Sequence, residues 1–169
     1  MGYTTDFEGS FAIDKPLKPE HAAYLRKFAD TRRMKRDEKK ASKLPDPIRL
    51  AVALPIGRDG GYFVEGSGFG GQDGDPSVVD MNGAPEGQPG LWCQWVPSAD
   101  GAELTWDGGE KFYEYVAWLE YLIEHFLKPW GYVLNGSVTW QGEDRNDIGK
   151  LIVKKNKVST SAGKITYDL

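Results

Sequence analysis

The side chains able to do covalent or metal chemistry are few: two histidines, His21 and His125, and one cysteine, Cys93. Zinc needs a set of Cys and His ligands. Zinc would need other ligands beside the two histidines, and Cys93 is the sole thiol, so no zinc is expected. Asp73-Gly74-Asp75, with Asp80, offers the oxygen ligands that hold calcium or magnesium. The pattern departs from a calcium loop at its later positions and lacks the closing glutamate, so no metal is expected there either. Glu120, Glu124 and His125 fall on one predicted helix, with Asp107 and Glu110 at its start. General acid–base catalysis needs a partner and a pocket. Acids at a helix start and a histidine near its end also complement the helix dipole, which explains them without catalysis. No motif identifies an enzyme, and no cofactor is implied.

Phosphate recognition is a second possibility. Gly66-Ser67-Gly68-Phe69-Gly70-Gly71 lies in a glycine-rich middle running from Gly57 to Gly90. It contains no GxxxxGK[ST] and no strand–GxGxxG–helix context. It is either a turn and flexible lid, or a loop over a nucleotide-like ligand. In the second case Trp92, Trp95 or Trp106 would stack on the ligand and Arg58 would face its charge. A basic patch follows the first predicted helix: Arg32, Arg33, Lys35, Arg36, Lys39 and Lys40, against Asp30, Asp37 and Glu38. On a chain of net charge −4 this patch is local. It suits a solvated helix end, an acidic protein partner or, less well, nucleic acid.

The elements that must carry these groups follow from hydrophobic periodicity. Tyr3 to Ile13 predicts a strand. Pro19 opens a helix that carries His21, Tyr24, Leu25 and Phe28 to about Asp30. Past Met34 the chain is polar on all sides, as an exposed extension or a separate segment would be, and Pro45-Asp46-Pro47 closes it. Short strands are predicted at Tyr62-Phe63-Val64 and Ser77-Val78-Val79. A strand pair follows at Leu91 to Val96 and Glu103 to Trp106, then a helix from about Gly109 to Lys128. That helix has two apolar faces. Phe112, Val116, Leu119, Ile123 and Phe126 form one, widened by Tyr115 and Leu122; Glu114, Trp118, Tyr121 and His125 lie nearly opposite. Either the Gly57–Gly90 segment covers that second stripe, or it is a working surface. Tyr132 to Trp140, Leu151 to Val153 and Ile165 to Tyr167 predict the last strands, with Gln141 to Asp147 a polar loop and Asn156 a turn. The order argues for one α+β domain over residues 1–169, a mostly antiparallel sheet with two main helices on one face.

Twenty-one glycines, ten prolines and six tryptophans set the composition apart. Tryptophans are costly to leave wet, so some must pack together or bind something. Cys93 has no possible internal disulfide partner and sits in the apolar run Leu91 to Trp95. No N-terminal apolar run suggests a secretory leader, and no stretch approaches a membrane span. A cytoplasmic setting is the expectation.

GYTTDFEGSFAIDKPL, EHAAYLRKF, TRRMKRD, QPGLWCQW, WDGGEKFYEY, HFLKPWGYVLNG and WQGEDRNDIGK cover nearly the whole chain. Together they resemble a family of small hypothetical proteins of bacteriophages, prophages and some bacteria. The resemblance implies an accessory protein of the host cytoplasm and no catalytic residue. Such genes often encode proteins that bind and block host factors or sequester small signals, and a counter-defence role belongs to the first of these. The leading expectation is therefore a non-enzymatic binding protein for a host macromolecule. Its contact surfaces would be Trp118, Tyr121 and His125 together with Arg32, Arg33 and Arg36. A nucleotide-like binder or hydrolase is the alternative.

Overall fold

The computed structural model describes residues 2–65 and 75–168. The chain forms two compact units. One comprises Met1–Leu17 with Gln94–Leu169, and the other, Lys18–Cys93, is inserted between its first two strands.

The first unit is a six-stranded antiparallel sheet in the order β4-β5-β1-β6-β7-β8. Its strands are β1 (Asp6–Ile13), β4 (Trp95–Pro97), β5 (Glu103–Trp106), β6 (Leu134–Gln141), β7 (Ile148–Lys154) and β8 (Lys157–Ala162). Alternation fixes the faces. Phe7, Phe11 and Ile13 of β1, Leu134 and Val138 of β6, and Leu151 and Val153 of β7 are buried. Asp6, Glu8, Thr139, Lys150 and Ser159 lie on the other, wet face. The core is aromatic: the Phe7 ring lies 5.3 Å from Trp95, 5.3 Å from Trp106 and 4.9 Å from Tyr115, all edge to face. Gly9 (φ 105°) and Gly136 (φ 134°) sit in neighbouring strands with backbone that favours glycine. A Cβ on Gly9 would stand 2.9 Å from the Ser137 carbonyl oxygen. The β7–β8 turn has left-handed Lys155 and Asn156, the hairpin geometry that suits asparagine. Asn156 also accepts the Leu134 N–H at 2.7 Å and donates to the Tyr132 carbonyl at 3.1 Å, pinning the start of β6.

The predicted strands at Tyr3–Ile13 and Tyr132–Trp140 match β1 and β6 within a few residues. Ile165–Tyr167 is not a strand; the last strand is β8 instead. Leu91–Val96 contracts to Trp95–Pro97. The long predicted helix begins later, as α4 (Tyr115–Leu122), because Lys111 and Glu114 take left-handed backbone conformations that interrupt it. Phe112 still packs in the core, 5.3 Å from Trp95. After α4 the helix widens into a π-turn over Ile123–Leu127, with the Lys128 N–H reaching five residues back to the Ile123 carbonyl at 2.9 Å.

The second unit carries α1 (Pro19–Asp30), β2 (Lys35–Arg36), α2 (Glu38–Ser42), α3 (Pro47–Ala51), a 3₁₀ turn at Arg58–Gly60, and β3 (Val78–Asp80). Helix α1 stops where predicted, burying Ala22, Tyr24, Leu25, Phe28 and Ala29. The polar segment beyond Met34 is not a helical extension. It makes β2, paired with β3, and then the short α2, capped by Asp37 accepting the Lys40 N–H. The predicted strand Tyr62–Val64 is not one. The Tyr62 and Phe63 N–H groups go to the Ile56 and Gly60 carbonyls, and side chains take others: Tyr24 Oη bonds the Tyr62 carbonyl, Arg33 the Phe63 carbonyl, and Asp46 the Val64 N–H. With no neighbouring strand, buried polar groups are satisfied this way instead.

Candidate functional site

The arginines proposed as a contact patch are buried, which corrects the picture of a solvated basic surface. Arg32, Arg33 and Arg36 are 9%, 2% and 5% exposed. Arg32 donates to the Met81 carbonyl and Asn82. Arg33 donates to the carbonyls of Gly61 at 2.7 Å and Phe63 at 3.0 Å and to Gln88. Arg36 binds Asp75 at 3.2 Å and Ser77 at 2.8 Å, its guanidinium 4.3 Å above the Phe63 ring. Burial pulls the Arg36 guanidinium below its ordinary range and Asp75 holds it up. These side chains tie together Gly61, Phe63 and the segment from Asp75 to Gln88. A phosphate-contacting surface needs them free, and they are committed. The exposed cations of this unit include Lys39, Lys40 and Lys43.

Two members of the aromatic stripe are buried as well, Trp118 fully and Tyr121 nearly so, which corrects the picture of these two as an exposed working surface. His125 remains exposed, stacked on Tyr121 at 4.1 Å. Among the ligand-stacking candidates, Trp95 is core, its indole N–H donating to the Tyr115 carbonyl at 2.9 Å. Trp106 is half-buried, bonded to Gln94. Trp92 and Arg58 belong to the other unit, where Trp92 is half-buried and Arg58 is exposed and paired with Glu86 at 3.0 Å. Gly66–Gly71, Asp73 and Gly74 lie outside the described residues. Asp75 and Asp80 are engaged with Arg36 and with the Asn82 N–H. No group of three or more metal-ligating residues is assembled among the described residues.

One site of different make-up is assembled. Tyr3, Tyr113 and Tyr167, from three distant parts of the chain, are 38%, 52% and 72% exposed and are held by hydrogen bonds around the β6–β7 loop. The Tyr3 N–H donates to Tyr113 Oη at 3.1 Å, and Tyr3 Oη donates to Asp147 Oδ2 at 2.7 Å. The Asp144 N–H donates to the same phenol oxygen, and Arg145 bonds Tyr167 Oη. The other Asp147 oxygen accepts the Trp140 indole N–H at 3.0 Å, and Glu143 accepts the Thr4 N–H. The Asp144 N–H favours the Tyr3 phenolate. The Asp147 carboxylate, with partial desolvation, outweighs it and keeps the phenol above its ordinary range. Tyr115, tilted against Trp140 at 6.0 Å, is raised likewise, first by burial and then by Asp147. Tyr3 and Tyr115 therefore stay neutral phenols at neutral pH. Sequence reading passed over them because Tyr3, Tyr113 and Tyr167 show no periodicity, and residues 141–147 read only as a polar loop.

The histidines give a pH signature. Burial lowers His21 and His125 below ordinary imidazole, with Glu20 and Glu124 pulling partly back. The folded state thus prefers neutral rings, and the unfolded state takes up protons at higher pH. Stability from this source is complete above about pH 6.5 and is lost as pH falls from there through the folded values. Urea midpoints at pH 7.5 and 5.5 should show a weaker protein at the lower pH. His21→Gln with His125→Gln should shrink that difference; an unchanged difference would assign it to other groups.

No family model, curated protein or solved structure matches this chain.

Proposed function

We propose that this chain is a non-enzymatic binding protein that recognises a host macromolecule through the surface around Tyr3, Tyr113 and Tyr167. The carrying observation is that these tyrosines are exposed yet hydrogen-bonded in place, Tyr3 to Asp147, Tyr113 to the Tyr3 N–H and Tyr167 to Arg145. Rigid exposed tyrosines bury large area at low entropic cost, which is why they anchor protein interfaces. Glu143, Asp144 and Asp147 set negative charge beside them, against the cations Arg145 and Lys111. That rim repels a polyanion and suits a basic protein surface. The phage or prophage origin that the sequence resemblance implies would supply a host partner and a role against host defence.

The test is native mass spectrometry of tagged protein recovered from bacterial lysate, wild type beside Tyr113→Ala/Tyr167→Ala. Wild type should carry a stoichiometric protein partner whose affinity falls about tenfold or more in the double variant at unchanged melting temperature. Retention of the partner by the variant would remove the tyrosine surface from the reading. A small adduct in place of a protein would favour the nucleotide-like ligand.

A further inference from the structure

Strand β8 ends the sheet, and among the described residues no strand pairs with its outer edge. The Gly163 N–H donates to the Ile148 carbonyl at 2.8 Å, and the register runs without a bulge from Gly149↔Ala162 to Lys154↔Lys157. Antiparallel alternation then turns the N–H and C=O groups of Lys157, Ser159 and Ser161 toward β7 and those of Val158, Thr160 and Ala162 outward. Ser159 to Ala162 are exposed, and no proline interrupts the strand. The tail does not close this edge along its length, since Arg145 holds Tyr167 at the β6–β7 loop.

The two sides of the edge differ in charge. On the wet face stand Lys150, Lys154 and Lys157, with Lys155 in the turn and Lys164 beyond the strand. All are exposed, and none forms an ion pair among the described residues. On the helix side, a cleft of about 320 Å³ opens where β8 begins, lined by Glu120, Ile123, Glu124, Asn156, Lys157 and Val158. Lysines on an edge ordinarily guard against self-pairing. A second copy laid on this edge would bring lysines together, whereas an acidic strand would neutralise them.

We propose that the β8 edge accepts an extended acidic segment of a partner protein as a seventh strand. Main-chain bonds to Val158, Thr160 and Ala162 would give affinity, and alternate side chains the specificity. Residues opposite Lys157, Ser159 and Ser161 point to the wet face and are acidic. The residue opposite Val158 points into the cleft and is Lys or Arg, between Glu120 and Glu124, its stem against Ile123. This edge and the tyrosine surface share one contact, Arg145 with Tyr167, which holds the tail beside the β6–β7 loop.

The probe is a capped synthetic peptide, Glu-Val-Glu-Arg-Glu-Val-Glu, with its charge-reversed counterpart as control. Amide exchange of the full chain should slow at Val158, Thr160 and Ala162 on adding the first peptide and not the second. Thr160→Pro removes an outward N–H that β7 does not use. It should weaken binding about tenfold while Ser159 keeps its protection. Should that variant disturb the hairpin, Lys157→Gln and Glu120→Gln/Glu124→Gln are each expected to weaken binding several-fold, the second with loss of preference for Arg over Val at the centre. No protection at about 1 mM peptide, or equal binding by the charge-reversed peptide, overturns the proposal. Protection that rises with protein concentration alone also overturns it, in favour of a second copy.

Discussion

Trp118→Ala is expected to unfold its unit rather than silence a surface. The indole is fully buried in the middle of α4, its ring 5.5 Å from Tyr121 and edge-on to it, with the fully buried Leu119 beside it in sequence. Removing a buried tryptophan costs about 3–5 kcal/mol, because the lost transfer energy adds to a cavity that the surroundings fill only in part. For a unit of this size that corresponds to a fall of about 15 °C or more in melting temperature. Thermal melts followed by circular dichroism would read it directly. His125→Ala is the comparison: its ring is exposed on one side and stacked on the other, so its loss should cost far less. If Trp118→Ala melts within about 3 °C of wild type, the indole is not core and its burial in α4 does not stabilise the unit.

Two apolar faces on one helix were plain in the residues from Phe112 to Phe126, and so was the α+β class. Period-two alternation in β1 and β6 was legible because one face of the sheet is wet, which forces polar residues into alternate positions. Which helix face is core was not legible, since both faces carry large apolar groups and periodicity does not weigh one against the other. The arginines misled for a related reason. A run such as Arg32, Arg33, Lys35 and Arg36 reads as solvated charge, because burying a guanidinium is costly unless its donors are met. Here backbone carbonyls, Asp75, Ser77, Gln88 and Asn82 meet them, and those acceptors lie some 28 to 55 residues further along the chain. The tyrosine surface was hidden by the same distance: Tyr3 finds Tyr113 across 110 residues and Asp147 across 144. The edge of β8 was missed because Lys157–Ala162 has weak strand propensity, whereas Ile165–Tyr167 carries the β-branched and aromatic residues that mark a strand.

Arg33→Ala is expected to loosen the glycine-rich loop and destabilise the Lys18–Cys93 unit by about 2–3 kcal/mol. Removing the guanidinium relieves the cost of burying a charge, and that relief limits the loss. Against it stand several deficits. The Phe63 carbonyl loses its 3.0 Å donor, and the Phe28 ring loses the cation 4.1 Å above it. Gln88 loses the group that orients its amide, although its own bond of 2.6 Å keeps the Gly61 carbonyl satisfied. An orphaned buried carbonyl costs about 1–3 kcal/mol, and the cation–π contact adds up to about 2 kcal/mol. Arg33→Met separates these causes, since it restores much of the volume and none of the donors. If Met is as damaging as Ala, hydrogen bonding dominates; if it recovers most of the loss, packing does. Arg33→Lys keeps the charge but lacks the planar fork that reaches Gly61, Phe63 and Gln88 together, so it should recover little. Denaturant unfolding gives the totals. Amide exchange at Val64, whose N–H is held by Asp46 beside the Phe63 carbonyl, gives the local effect. A ligand-binding arginine on an open surface would leave both readouts unmoved, and that outcome would return Arg33 to the list of contact residues.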